Sequence, residues 1–298
     1  MSLRTLFIVV VTIVLLWSGR ASAVPFFFST GNPDGSIATG SRPSSPGKLE
    51  IESADDFVVT GANTLKLTGA SFQGLLPTGA SLSSVTDVRV EIYRVFPADS
   101  DVGRTSGPPT FSTSQVPTRV NSPSDVELNS RDSSAGSLTF TPAVVAASFT
   151  AANSVLNGIH PIPGFHTGGE GPVTGQQVSF NVSFTTPFTL PADHYFFVPQ
   201  VQLSSGDFFW LSAARPIVPP GTPFPLGVTD LQSWIRNSDL DPDWLRIGTD
   251  IVGGTTFNAA FALSGDLEPV PEPATLLLWG TTMAALGLAA RRRGLRLK

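Results

Sequence analysis

The sequence predicts an all-β fold, a β-sandwich or jelly roll of roughly eight to twelve strands. Three observations predict it. Apolar residues recur with a period of two, which places one set of side chains on a core and the alternate set in water. Turn formers are frequent, with 28 Gly and 26 Pro in 298 residues, and clusters of Gly, Pro, Ser, Asn or Asp separate nearly all the alternating runs. Between the two chain ends no uninterrupted helical stretch appears.

The elements follow in order. Met1 to Arg4 form a short positive segment, Thr5 to Trp17 an uncharged apolar run, and Ala21-Ser22-Ala23 a small-x-small cleavage site. This layout predicts a secretory signal peptide over residues 1–23, with Val24 as the mature N-terminus. Strand candidates then run through Leu49 to Val59, Leu65 to Thr68, Val88 to Tyr93, Ser137 to Phe140, Val144 to Phe149, Val178 to Phe184, Tyr195 to Leu203, Asp207 to Ser212 and Thr255 to Leu263. Two stretches interrupt the pattern. Pro97 to Asn129 is rich in Pro, Ser and Thr and offers no clear strand before Asp125 to Leu128, so it reads as a long surface excursion or a seam between halves. Pro216 to Pro225 holds five prolines, too many missing donors for a sheet interior. Leu231 to Arg236 has the form of a single helical turn.

Composition sets the limits. With 41% hydrophobic residues the chain can bury a core, and with no Cys it has no thiol nucleophile, disulfide framework or thiolate zinc site. Between Val24 and Val270 stand 22 acidic and 11 basic residues, and such an acidic surface repels nucleic acid.

Few residues suggest chemistry. A serine hydrolase elbow, Gly-x-Ser-x-Gly, is absent from the sequence. The three histidines, His160, His166 and His194, lack the regular spacing of a zinc site. The densest oxygen-ligand cluster is Asp239, Asp241 and Asp243, with Asn237 before and Asp250 beyond, a candidate calcium loop without the glycine and terminal glutamate of a helix-loop-helix site. Asp and Asn also form turns for local reasons. Asp55-Asp56, after Glu52, reads as the start of a strand. Trp234 and Trp244, flanked by polar loop residues, are the candidate glycan contacts, because indole plates beside carboxylates match the mixed apolar and polar faces of a sugar. Ser112 to Ser124 is a candidate stretch for Ser/Thr glycosylation.

The C-terminal end is the most specific part. Pro271-Glu272-Pro273 precedes an uncharged segment from Ala274 to Ala290, and Arg291, Arg292 and Arg293 follow. The segment is at the lower edge of a membrane span, and the arginines orient it with the preceding residues outward. This arrangement resembles the PEP-CTERM sorting signal of Gram-negative bacteria, carried here by about the last thirty residues. The resemblance implies recognition by exosortase, a membrane protease-transpeptidase, and an association with exopolysaccharide, biofilm or floc formation.

The organisation expected is therefore a signal peptide at 1–23, an exported all-β domain at 24–269, and a sorting signal at 270–298 with a transmembrane segment at 274–290. The function expected is a non-enzymatic structural or adhesive component of the cell envelope or extracellular matrix. Its partners are exosortase, the membrane before processing, and extracellular polysaccharide. The alternatives are a glycan-binding module, with calcium as its only candidate cofactor, and a polysaccharide-modifying enzyme.

Overall fold

The computed structural model describes residues 23–61, 63–104, 116, 118–159 and 166–269. The signal peptide as far as Ser22, His160, the Pro271-Glu272-Pro273 motif, the 274–290 segment and Arg291 to Arg293 lie outside the described residues.

The described residues are nearly all β and form two sheets. The larger contains β1 (Val24–Ser29), β2 (Pro33–Gly40), β4 (Asn63–Pro77), β7 (Leu138–Ala151), β8 (Asn153–Val155), β9 (Val173–Leu190), β11 (Phe209–Ala213), β14 (Asn258–Ala259) and β15 (Phe261–Pro269). The smaller follows the order β13 (Leu245–Arg246), β12 (Trp234–Asn237), β3 (Ile51–Val59), β10 (Asp193–Leu203), β5 (Val85–Arg94) and β6 (Asn129–Asp132). The pairings are antiparallel apart from β2 with β8.

Strand β4 organises the larger sheet. One edge pairs with β9 from Leu65↔Leu190 to Pro77↔Gly175, and β7 adds outside β9. A strand has only two edges, so β15 and β11 share the other, and β1 and β2 extend the sheet from them. Alternation along these strands sends Leu65, Leu67 and Phe72 of β4 and Phe180 of β9 into one core with Phe57 of β3, Val88, Val90 and Ile92 of β5, and Phe197 of β10. Phe72 and Phe180 are direct cross-strand partners and stack with centroids 5.0 Å apart. Gly74 permits the tight approach of the next strand, since a Cβ there would lie 2.2 Å from the Phe208 ring. A second cluster, including Ile37, Ile51, Val155, Ile235 and Phe257, fills the space beside β2 and β12.

The sequence undercounts the strands: fifteen occur among the described residues. Ser137 to Phe140 and Val144 to Phe149 belong to one bulged strand, β7, and Thr255 to Leu263 divides into β14 and β15. Leu231 to Arg236 is not a helical turn; it leads into strand β12, whose side chains are buried on both faces and so show no amphipathic period. Asp125 to Leu128 forms no strand, and β6 begins only at Asn129.

Candidate functional site

Strand β3 carries acidic residues on both faces of the smaller sheet. Ser53 and Asp55 point toward the larger sheet, where Ser53 Oγ donates to the Gly40 carbonyl and Asp55 Oδ2 accepts from the Ala259 N–H at 2.8 Å. Glu52, Ala54 and Asp56 occupy the opposite face. Asp55 and Asp56 therefore sit inside a strand, buried, rather than at its start.

Asp56 and His194 face each other across β3 and β10, with Oδ2 and Nε2 2.5 Å apart. Burial pushes the His194 pKa down to about 4 and raises the Asp56 carboxyl well above the usual carboxylate range. Both shifts disfavour the charged form, as expected for two groups removed from water. Asp55 is raised in the same direction by burial, then by Asp56 and Asp230.

These carboxylates fix the segment before β12. Asp56 Oδ2 accepts the Leu231 N–H at 3.0 Å, and Asp55 Oδ1 accepts the Ser233 hydroxyl at 2.9 Å. Gln232 is thereby held between two anchored neighbours. The Arg215 guanidinium donates to the Asp230 carbonyl and lies 3.9 Å from its carboxylate.

Beside this cluster stands a second, built on Arg236. Its Nε donates to Glu52, its Nη2 to Tyr93 Oη at 2.8 Å, and its Nη1 lies 2.7 Å from Asp241. Burial pushes the Glu52 pKa up, but the Arg236 guanidinium outweighs it and holds the carboxylate below its ordinary value. Glu91, next to Glu52 and with less cationic compensation, is driven up to about 9 by burial and by Glu52. A third cluster ties the long excursion down: Arg104 contacts Asp125 and Asp243, while Arg119 contacts Asp125 at 2.5 Å.

The sites expected from sequence fall into these clusters differently from the expectation. Asp241 pairs with Arg236, Asp243 with Arg104 at 2.6 Å, and Asp239 faces solvent, so the three carboxylates do not converge. Asn237 Oδ1 accepts the Leu240 N–H, the local turn role, and Asp250 binds Arg246. Among the described residues no group of three or more His, Cys, Asp or Glu side chains is arranged to hold a metal. Trp244 is 2% exposed, with its N–H donated to the Ser124 carbonyl and its ring edge-on to Tyr93, so it presents no plate to a sugar. Trp234 is 1% exposed and packs in the same cluster as Ala54, Phe196 and Leu231. Ser122 and Ser124 are likewise buried, which removes them as glycosylation positions.

What remains open is a pocket of about 420 Å³. Its walls come from Thr118 to Asn121 without Arg119, from Arg215, from Thr229 to Gln232, and from Trp234, Arg246 and Thr256. The buried clusters are its scaffold, because Asp55 and Asp56 pin the Leu231 to Ser233 wall and Asp125 pins Arg119 beside Val120. No local motif marks this pocket in the sequence; long-range contacts bring its parts together, among them the pairing of β12 with β3 and β13 and the contacts of Arg119 with Asp125 and Arg215 with Asp230.

No curated protein and no solved structure matches the chain. A family model for the PEP-CTERM protein-sorting motif matches residues 269–293. The match begins at the last residue of β15, directly after the all-β unit. Exosortase, a membrane protein, recognises this signal, and its presence marks export and processing at the cell envelope. The chain carries a PEP-CTERM protein-sorting motif at residues 269–293.

Proposed function

We propose that the protein is a non-enzymatic structural or adhesive component of an extracellular polysaccharide matrix. The observation that carries this reading is the position of the sorting motif, immediately behind an all-β unit with its own hydrophobic core. In this reading signal peptidase cuts after Ala23, the 274–290 segment holds the precursor in the inner membrane with Arg291 to Arg293 in the cytoplasm, and exosortase removes the tail. The excess of acidic residues keeps the released domain soluble at the surface.

The test is location and consequence together. Replacing Pro271 and Glu272 with alanine is expected to retain the protein in the inner membrane, and deleting the whole chain to weaken the cohesion of the matrix. A deletion strain whose matrix keeps its normal cohesion and adhesion overturns the matrix role. Envelope material that begins at Met1 overturns the cleavage.

A second reading, glycan binding, is favoured by the pocket of mixed polar and apolar lining to which Trp234 contributes. Calcium has no part in this reading, since Asp239, Asp241 and Asp243 are directed to separate surroundings.

A further inference from the structure

Resting on that second reading, we propose that the pocket beside β12 binds an uncharged sugar unit, and that hydroxyl groups and C–H faces, rather than charge, are what it recognises. Its volume of about 420 Å³ falls within the range of roughly 300–1,000 Å³ typical of small-ligand sites.

Charge argues for a neutral ligand. Two arginines line the pocket, and each already has a carboxylate: Arg215 lies against Asp230, and Arg246 is bound by Asp250 through both its backbone N–H and its guanidinium. Both lining cations thus have a carboxylate neighbour that balances their charge, and the buried Arg215 Nη1, which has no hydrogen-bond partner, is a donor that a neutral hydroxyl can also satisfy.

The uncommitted groups are those that pair with hydroxyls. The side chains of Asn121, Thr229 and Thr256 form no hydrogen bond within the described protein, and the Gln232 amide uses only its oxygen, which accepts from Thr249. Amides and hydroxyls both donate and accept, as sugar hydroxyls do. Three partnerless buried atoms belong to lining residues, the donors Trp234 Nε1 and Arg215 Nη1 and the acceptor Asp230 Oδ1. Apolar surface comes from Val120, 66% exposed, with Leu231 behind it.

The site is also built in advance. Leu231 and Ser233 are pinned by Asp56 and Asp55 on either side of Gln232, so little ordering cost falls on binding. Asn121 holds a left-handed backbone, φ 63°, at the rim. Such strained positions concentrate at functional sites.

The experiment uses the full chain, purified in a detergent without a sugar headgroup. Binding is measured to glucose, galactose and mannose, to a neutral soluble glucan, and to polygalacturonate as an acidic polymer, at low and at high salt. Saturable binding to a neutral probe that persists at high salt is expected. Binding to the glucan identifies a polysaccharide chain as the ligand, and binding to monosaccharides alone a free sugar. Asn121→Gly with Thr229→Val removes two neutral hydrogen-bonding groups and is expected to weaken binding about tenfold, ~1.4 kcal/mol. Gln232→Ala is the second variant, should the first not fold. Absence of saturable binding to every neutral probe, binding that the folded variants leave unchanged, or binding only to polygalacturonate that salt abolishes overturns the proposal. Cohesion of the matrix in the deletion strain is a separate readout, so failure of sugar binding is distinguishable from failure of the matrix role.

Discussion

The Arg236 guanidinium lies over the Trp244 indole, 4.4 Å from the ring centroid, while its N–H groups are spent on Glu52 and Tyr93. Both residues are buried, one on the short strand β12 and the other on the loop that joins it to β13. The contact explains why a charged residue and a tryptophan expected to meet a sugar are parts of a second, polar core. Stacking and hydrogen bonding together satisfy the guanidinium where water does not reach.

Removing one partner of this buried pair leaves the other uncompensated. Arg236→Met is expected to destabilise the fold by about 3–5 kcal/mol in denaturant titration, and Arg236→Met with Glu52→Gln by clearly less. Equal losses in the single and double variants would show that the two side chains do not act as a pair.

Glu91 gives the fold a pH dependence with a definite sign. Its carboxyl titrates near 4.5 in the unfolded chain and about 9 in the folded one, so the folded state holds the extra proton between those values. The stability it contributes is fully present below pH 4.5 and is lost as the pH rises toward 9. Glu91→Gln, neutral throughout, is expected to match the parent near pH 4.5 and to exceed it on the order of 2–3 kcal/mol at pH 7. Unfolding curves across this range check it.

His194 works in the opposite sense. Its ordinary value is 6.5 and burial lowers it to about 4, so the stability is present above pH 6.5 and is lost as the pH falls toward 4. An imidazole titration followed by NMR is expected to give a midpoint near 4 for this residue. His194→Gln should flatten the stability profile between those two pH values.

Calcium at fixed ionic strength is expected to leave the melting temperature unchanged, because Asp241 and Asp243 are bound to different arginines and Asp239 stands in solvent. Asp243→Asn should lower the melting temperature equally with calcium and with chelator, through the weakened contact to Arg104. A calcium-dependent rise in the parent would place an ion elsewhere on the protein.

The strands β4, β5 and β9 were legible because they face the shared core with one side and something more polar with the other, which is the condition for an alternating pattern. Strands β1 and β12 were not. Phe26-Phe27-Phe28 in β1 is an unbroken apolar run, and β12 buries Arg236 as fully as Ile235. The candidate site was hidden for a related reason. Polar residues read as surface, yet Asp55, Asp56 and Asp243 are buried against partners 139 to 204 positions away in the chain. Trp234 and Trp244 seemed exposed because of their neighbours in sequence, whereas Ala54, Leu231, Tyr93 and Ser124 cover them in space.

Strand β15 enters the sorting motif with Val24 opposite Leu267, and it is flanked on its two edges by β1 and β4. A tug applied to the tail along the strand therefore loads two rows of hydrogen bonds in shear at once, instead of peeling a single edge. The first and last strands of the described residues, remote in sequence, bring their outer ends together at one corner of the sheet. Under load at its C-terminal end the domain hangs from one stitched seam, and the chain resists being unravelled from that end.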